Sequence, residues 1–230
     1  MMSLLRLTDN LRRPVSIAAT GLFLCSAALY FTPLELQHKI AVPVAILCLA
    51  GLWLCPWQIT LALLFSATGD YFGSCNNLIL QMCSFAVAHV WFITYFASRY
   101  FKKVEHDKKL TAKAKGYFIM VIFCTIALLA TAFIKIVPAA EPGIIKTGVS
   151  IYACLIGAMM LTALLQRSSV FAIGAVLFVF SDFILAWNMF VEPVPYSRYL
   201  ILITYYAAQW LLFIRATPLR IAPEMRLLRF

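Results

Sequence analysis

VFAIGAVLFVFSDFILAWNMFV, residues 170–191, is an apolar run of bilayer-crossing length with one charged group, Asp182, inside it. A second run, WQITLALLFSATGDYFG at residues 57–73, carries Asp70 in the same way. An ionised carboxylate at the centre of a membrane helix costs at least ~2.5 kcal/mol, so such residues are rare and mark functional cavities. Two of them in similar local sequence predict one shared polar cavity inside a helical bundle.

Composition extends this reading to the whole chain. Of its 230 residues, 63% are hydrophobic and 12% charged, and the mean hydropathy is +0.91. A water-soluble domain of that size has no core large enough to hide so much apolar surface. An all-α, polytopic membrane protein is expected, with eight transmembrane helices in one bundle. The spans fall at 15–32, 39–55, 57–74, 78–98, 116–136, 144–165, 170–191 and 198–216. They form a single transmembrane domain over 1–230, with halves 1–98 and 116–216. The halves are joined by a basic loop, RYFKKVEHDKKLTAKAK, at 99–115.

Lys and Arg set the orientation. One side of the expected bundle holds Arg6, Arg12, Arg13, the seven cations of 99–115, Arg167 and the four C-terminal arginines. The other side holds only Lys39, Lys135, Lys146 and Arg198. Both termini are therefore expected inside. The net charge of +10 follows from a cytoplasmic face beside anionic lipid and calls for no nucleic acid. The first apolar stretch reads as a retained span, since no small-residue cleavage pair closes it. A bacterial inner membrane is the favoured location and an endoplasmic reticulum is also compatible. The seven cysteines lack metal-type spacing and lie mostly in spans, as small core hydrophobes.

The halves carry traces of a repeat. ITYFASRY (93–100) matches ITYYAAQW (203–210), and the pair Asp70/Asn76 mirrors Asp182/Asn188 with the same spacing. Two four-span halves pointing the same way predict pseudo-symmetry about the membrane normal, with both acids at one depth. Polar residues support that placement. Ser66, Asp70, Gly73 and Asn77 share one helical face, and Gly69 with Gly73 lets a neighbouring helix approach the acid. Gln81, Phe85 and His89 share a face of the fourth span; Arg198, Leu202, Tyr205 and Gln209 share one of the eighth. No GxSxG, HExxH, P-loop or dinucleotide fingerprint is present, and no metal or cofactor is expected.

Four segments together resemble a known family. SATGDYF (66–72), FAVAHVWF (85–92), GAVLFVFSDFILAWNMF (174–190) and SRYLILITYYAAQ (197–209) are similar to the lysoplasmalogenases, also called YhhN-like, a family of eight-span membrane hydrolases. Two departures are Phe92, where the family often has Tyr, and a Lys39–Pro43 spacing one residue longer than usual. The resemblance implies cleavage of the vinyl ether bond of lysoplasmalogens, giving a fatty aldehyde and glycerophosphocholine or glycerophosphoethanolamine. Vinyl ethers hydrolyse through protonation of carbon. One of Asp70 and Asp182 is expected to act as the acid and the other to stabilise the cation, as two carboxyls do in glycosidases. His89, Tyr205 and Gln209 are expected to orient water or the acids. Asn76, Asn77 and Asn188 are expected near the glycerol, and Lys39 and Arg198 at the phosphate. The expected partners are a lysophospholipid substrate and membrane lipid; oligomeric state is left open. A lysolipid or amphiphile transporter with proton-coupled midplane acids and a non-catalytic lipid-binding protein are the competing readings.

Overall fold

A computed structural model describes residues 2–32, 39–106 and 112–217. Every regular element among them is helical: α1 (Met2–Tyr30), α2 (Val42–Leu54), α3 (Trp57–Ser74), α4 (Leu78–His106), α5 (Ala112–Thr131), α6 (Val137–Ala139), α7 (Ile144–Leu164), α8 (Ser169–Phe190) and α9 (Ser197–Ala216). A helix lies at each of the eight segments expected to cross the membrane. Six of these helices are long and apolar enough to do so by themselves. The chain is an integral, multi-pass membrane protein.

The exceptions are α2 and α3. α2 has 13 residues, about 20 Å at 1.5 Å per residue, against a hydrocarbon core of about 30 Å. α3 has 18 residues and carries Ser66, Thr68, Asp70 and Ser74, which dilute its hydropathy. Two further differences concern the ends. α1 begins at Met2, well before residue 15. α4 continues to His106 and α5 starts at Ala112, so much of the basic 99–115 segment extends two helices. Its residues 107–111, together with Arg220, Arg226 and Arg229 of the C-terminus, lie outside the described residues.

Local sequence explains how the helices start and stop. Cys55 is extended (φ −111°, ψ 159°) before Pro56, as a residue preceding proline prefers, and that corner turns α2 into α3. α3 ends on Asn76 in the left-handed region (φ 56°). There the Asn77 N–H reaches the Phe72 carbonyl at 3.0 Å and the Asn76 N–H the Gly73 carbonyl at 3.1 Å, a Schellman closure. The Asn77 side chain then accepts the Leu80 N–H at 3.0 Å and caps α4. Between α5 and α6 the helix widens into a π-turn, Ala132–Ile136. Pro138 follows, lacking an N–H and crowding the carbonyl one turn back, and a π-turn absorbs that mismatch.

α3 packs on α4 and α8 on α9; α4 also meets α7, and α2 also meets α9. Fully buried Phe92, Phe96, Phe171, Phe178 and Phe213 fill the centre. The close approach of α3 and α4 depends on two glycines. A Cβ on Gly69 would lie 2.7 Å from the Phe85 ring, and one on Gly73 would lie 2.7 Å from the Gln81 amide. Leu, Ile, Trp and Phe side chains such as Ile17, Trp53 and Phe123 remain exposed around the outside, where lipid rather than water is their solvent.

Candidate active site around Asp70 and Asp182

Asp70 and Asp182 line one cavity of about 400 Å³. Each is at least nine-tenths buried. Asp70 comes from the second half of α3 and Asp182 from the middle of α8. The turns that end α3 and α8 form the mouth, where Ser74, Asn76, Met189 and Arg198 reach the lining; Phe85, Leu185, Ile201 and Leu202 make the walls apolar.

The two acids have unlike partners. The Tyr205 hydroxyl donates to Asp70 Oδ2 at 2.9 Å. The Tyr152 hydroxyl, from α7, donates to Asp182 Oδ2 at 2.6 Å. With that proton engaged, the Tyr152 oxygen accepts from His89 Nε2 at 3.1 Å. The same His89 nitrogen lies 3.4 Å from Asp182 Oδ2. Asp182 thus ends a His–Tyr–Asp chain built by three helices, and among the described residues Asp70 has one hydrogen-bond partner, Tyr205. Short O–H···O⁻ hydrogen bonds are the strong, charge-assisted kind.

Behind the acids, away from the mouth, runs a second polar layer. Ser66 Oγ, His89 Nδ1 and both amide atoms of Gln209 are buried without a hydrogen-bond partner among the described residues. The Gln209 amide neighbours the Tyr205 hydroxyl but falls short of hydrogen-bond geometry. α3 and α9 run in opposite directions, so Ser66, one turn from Asp70, and Gln209, one turn from Tyr205, come to matching depth. Phe178, fully buried, packs among the aromatic rings at this level. Its ring sits 4.9 Å from that of His89, 5.5 Å from Tyr205 and 6.4 Å from Phe85.

The residues singled out in the sequence therefore divide. Asp70, Asp182, Asn76, Arg198 and Tyr205 line the cavity. His89 and Gln209 are buried behind it. Asn77 is engaged as the α4 cap. Asn188 accepts the Val194 N–H at 2.9 Å and shapes the α8–α9 turn, off the cavity wall. Lys39 is exposed and is not in the lining, although its neighbour Ile40 is. Arg198 stacks its guanidinium over the Tyr30 ring at 4.7 Å, which holds the cation at the mouth.

Tyr152, Tyr30 and Ser181 are not among the expected site residues, and Gln81, which the sequence places on a polar face of the fourth span, carries no expected role there. Ser181 donates to the Ile201 carbonyl at 3.0 Å and ties α8 to α9. Tyr152 had one available signal: it is the only tyrosine in span 144–165. Among the described residues no cluster of three metal-ligating side chains occurs.

Comparisons with known proteins fall on this same region. Residues 37–216 match the YhhN family. Lysoplasmalogenase TMEM86B of Mus musculus is 30% identical over 164 residues, covering 70% of this chain and 63% of its own length. The Homo sapiens protein of that name is 30% identical over 182 residues, covering 74% and 71%. Lysoplasmalogenase TMEM86A of Bos taurus is 53% identical over 47 residues, covering 20% of each chain. The chain thus spans about three fifths of the length of the rodent relatives it matches. No solved structure matches it.

Proposed function

This chain belongs to the YhhN family, and we propose that it hydrolyses the vinyl ether bond of lysoplasmalogens. The observation that carries the reading is the pair of buried acids lining one cavity with unequal hydrogen-bond partners. Asp182, which receives the Tyr152 hydroxyl with His89 alongside, is the carboxylate. Asp70, with one donor, holds the proton.

The chemistry then balances in three steps. Asp70 gives its proton to the vinyl β-carbon; the double-bond electrons form the new C–H bond, and positive charge develops on the α-carbon and ether oxygen. Asp182 stabilises that cation and takes a proton from the water that adds to the α-carbon, leaving a hemiacetal. Asp70, now a carboxylate, removes the hemiacetal hydroxyl proton as the C–O bond to glycerol breaks, while Asp182 protonates the departing glycerol oxygen. One water is consumed, an aldehyde and a glycerophospho head group leave, and both acids return to their starting states. The division of roles resembles that of glycosidase carboxyl pairs facing a similar cation.

Placement of the substrate follows from the cavity. Arg198 takes the phosphate at the mouth, with Lys39 a lesser contact at the same end, and Asn76 lies beside the glycerol. A cavity of about 400 Å³ suits the head group and the reacting bond, and the alkyl chain extends among Leu and Ile toward lipid. All eight helical segments cross the bilayer in this account, with both termini on the cytoplasmic side. The neighbour relations of α1–α4 recur in α5, α7, α8 and α9, and α4 on α7 corresponds to α9 on α2. That recurrence supports a parallel repeat with the acids facing each other across its axis.

Mass spectrometry of vinyl-ether and ester lysolipids incubated with the detergent-solubilised protein tests the reading. Aldehyde from the vinyl ether alone supports it. Intact lipid in detergent, with transfer of labelled lysolipid across vesicles, replaces it with a carrier. For the phosphate contact, Arg198→Ala is expected to raise KM about 10-fold, the equivalent of ~1.4 kcal/mol, while lowering kcat less. Lys39→Ala is expected to raise KM by a smaller factor. Steady-state aldehyde release reads both, and an unchanged KM in Arg198→Ala removes its role.

A further inference from the structure

Gln81 lies in the cavity lining, and its position is set by the α3–α4 contact. Gly69 faces Phe85 and Gly73 faces Gln81, so the two helices run antiparallel with Gln81 one turn nearer the mouth than Asp70. The missing Cβ at Gly73 makes room for the amide, whose Nε2 would lie 2.7 Å from that carbon. Among the described residues no protein group hydrogen-bonds the Gln81 side chain, and it is half-buried rather than sealed in the core. A carboxamide held against a bare backbone in the lining of a cavity, with no protein partner among the described residues, is ready to read a hydroxyl or carbonyl.

Depth along the helices says which substrate atom it meets. Gly73 is three residues beyond Asp70, about 4.5 Å toward the mouth at 1.5 Å per residue. Tyr205, which bonds Asp70, is seven residues into α9 from Arg198, about 10 Å. In an alkenyl lysophospholipid the vinyl β-carbon and the phosphorus are seven bonds apart, about 9 Å extended, and the second glycerol carbon is four bonds along, about 5 Å. A lipid with its reacting carbon at Asp70 and its phosphate at Arg198 therefore brings its second glycerol carbon to the level of Gln81.

Resting on the hydrolase reading, we propose that Gln81 is the specificity residue that recognises the free hydroxyl on the second glycerol carbon. An ester there removes the donor and needs room beside Phe85, so the same contact selects single-chain substrates.

The test compares an alkenyl lysophospholipid with its 2-deoxy analogue on wild type and on Gln81→Met. Wild type is expected to favour the hydroxyl-bearing lipid by about 10- to 100-fold in kcat/KM. Gln81→Met is expected to bring that ratio near one, by slowing the hydroxyl-bearing lipid alone. A general packing defect slows both lipids equally and keeps the ratio, which overturns the proposal. If Gln81→Met does not fold, Gln81→Asn withdraws the amide by one methylene, and the ratio must still fall. A wild type that releases aldehyde from both lipids equally well overturns the Gln81 role and leaves the hydrolase reading intact. A wild type that releases none from either overturns both.

Discussion

Asp70→Asn is expected to lower kcat for aldehyde release by about 10²–10⁴-fold, the usual contribution of a positioned general acid. KM should change little, because the asparagine still accepts the Tyr205 hydroxyl that Asp70 now accepts at 2.9 Å. The amide fills the same volume and cannot give a proton to carbon. Asp182→Asn should fall by a similar factor for a different reason: the neutral amide neither stabilises the cation nor takes the proton from water. The measurement is steady-state aldehyde release by each purified variant, with elution as a single folded species as the control. Turnover near wild type in both variants rules out the paired-acid mechanism.

The second large effect is expected at Tyr152. Its hydroxyl donates to Asp182 at 2.6 Å and accepts from His89 at 3.1 Å, so Tyr152→Phe removes both contacts while keeping the ring. Among the described residues, the variant leaves Asp182 with His89 Nε2 at 3.4 Å. Preorganised donors to a charge that matters in the transition state are worth up to about 10²–10³ in kcat. A loss of about 10²-fold is expected, with KM within about twofold, since Tyr152 lies behind the lining and touches no part of the substrate. A parallel rise in KM with unchanged kcat would mean that Tyr152 shapes the cavity instead. Unchanged kinetics would detach the His–Tyr–Asp chain from catalysis.

Much of this arrangement is legible in the sequence because lipid is an unforgiving solvent. The run at 170–191 reads as a span, and α8 covers Ser169–Phe190, because one solvated face or a glycine-rich break would have shown as a polar stripe. Asp70 and Asp182 stand out for the same reason, and the glycines beside Asp70 foretell the close approach of α4. Tyr152 did not stand out. It occupies an apolar helix, shares no polar stripe, and gains its meaning from residues on two other helices, a tertiary fact that its being the lone tyrosine of its span does not reveal. Asn77 and Asn188 show the converse. Both carry polar side chains near the mouth, and both spend them on their own backbone, at the α4 cap and the α8–α9 turn. The short α2 shows where apolar length stops being a guide: residues 39–55 look long enough, but the helix takes only Val42–Leu54.

Rate-limiting carbon protonation by a lipid-embedded acid leaves two marks together, a deuterium on carbon and a slower turnover in D₂O. An enol released first and tautomerised later carries the deuterium without the slow step. The most direct measurement is therefore mass analysis of the aldehyde released from an alkenyl lysophospholipid in D₂O, sampled before the aldehyde itself exchanges. The account predicts a single deuterium on the carbon next to the carbonyl, together with a slower rate than in H₂O. Aldehyde formed as fast in D₂O as in H₂O, or cleavage at the phosphate with the vinyl ether intact, would contradict it.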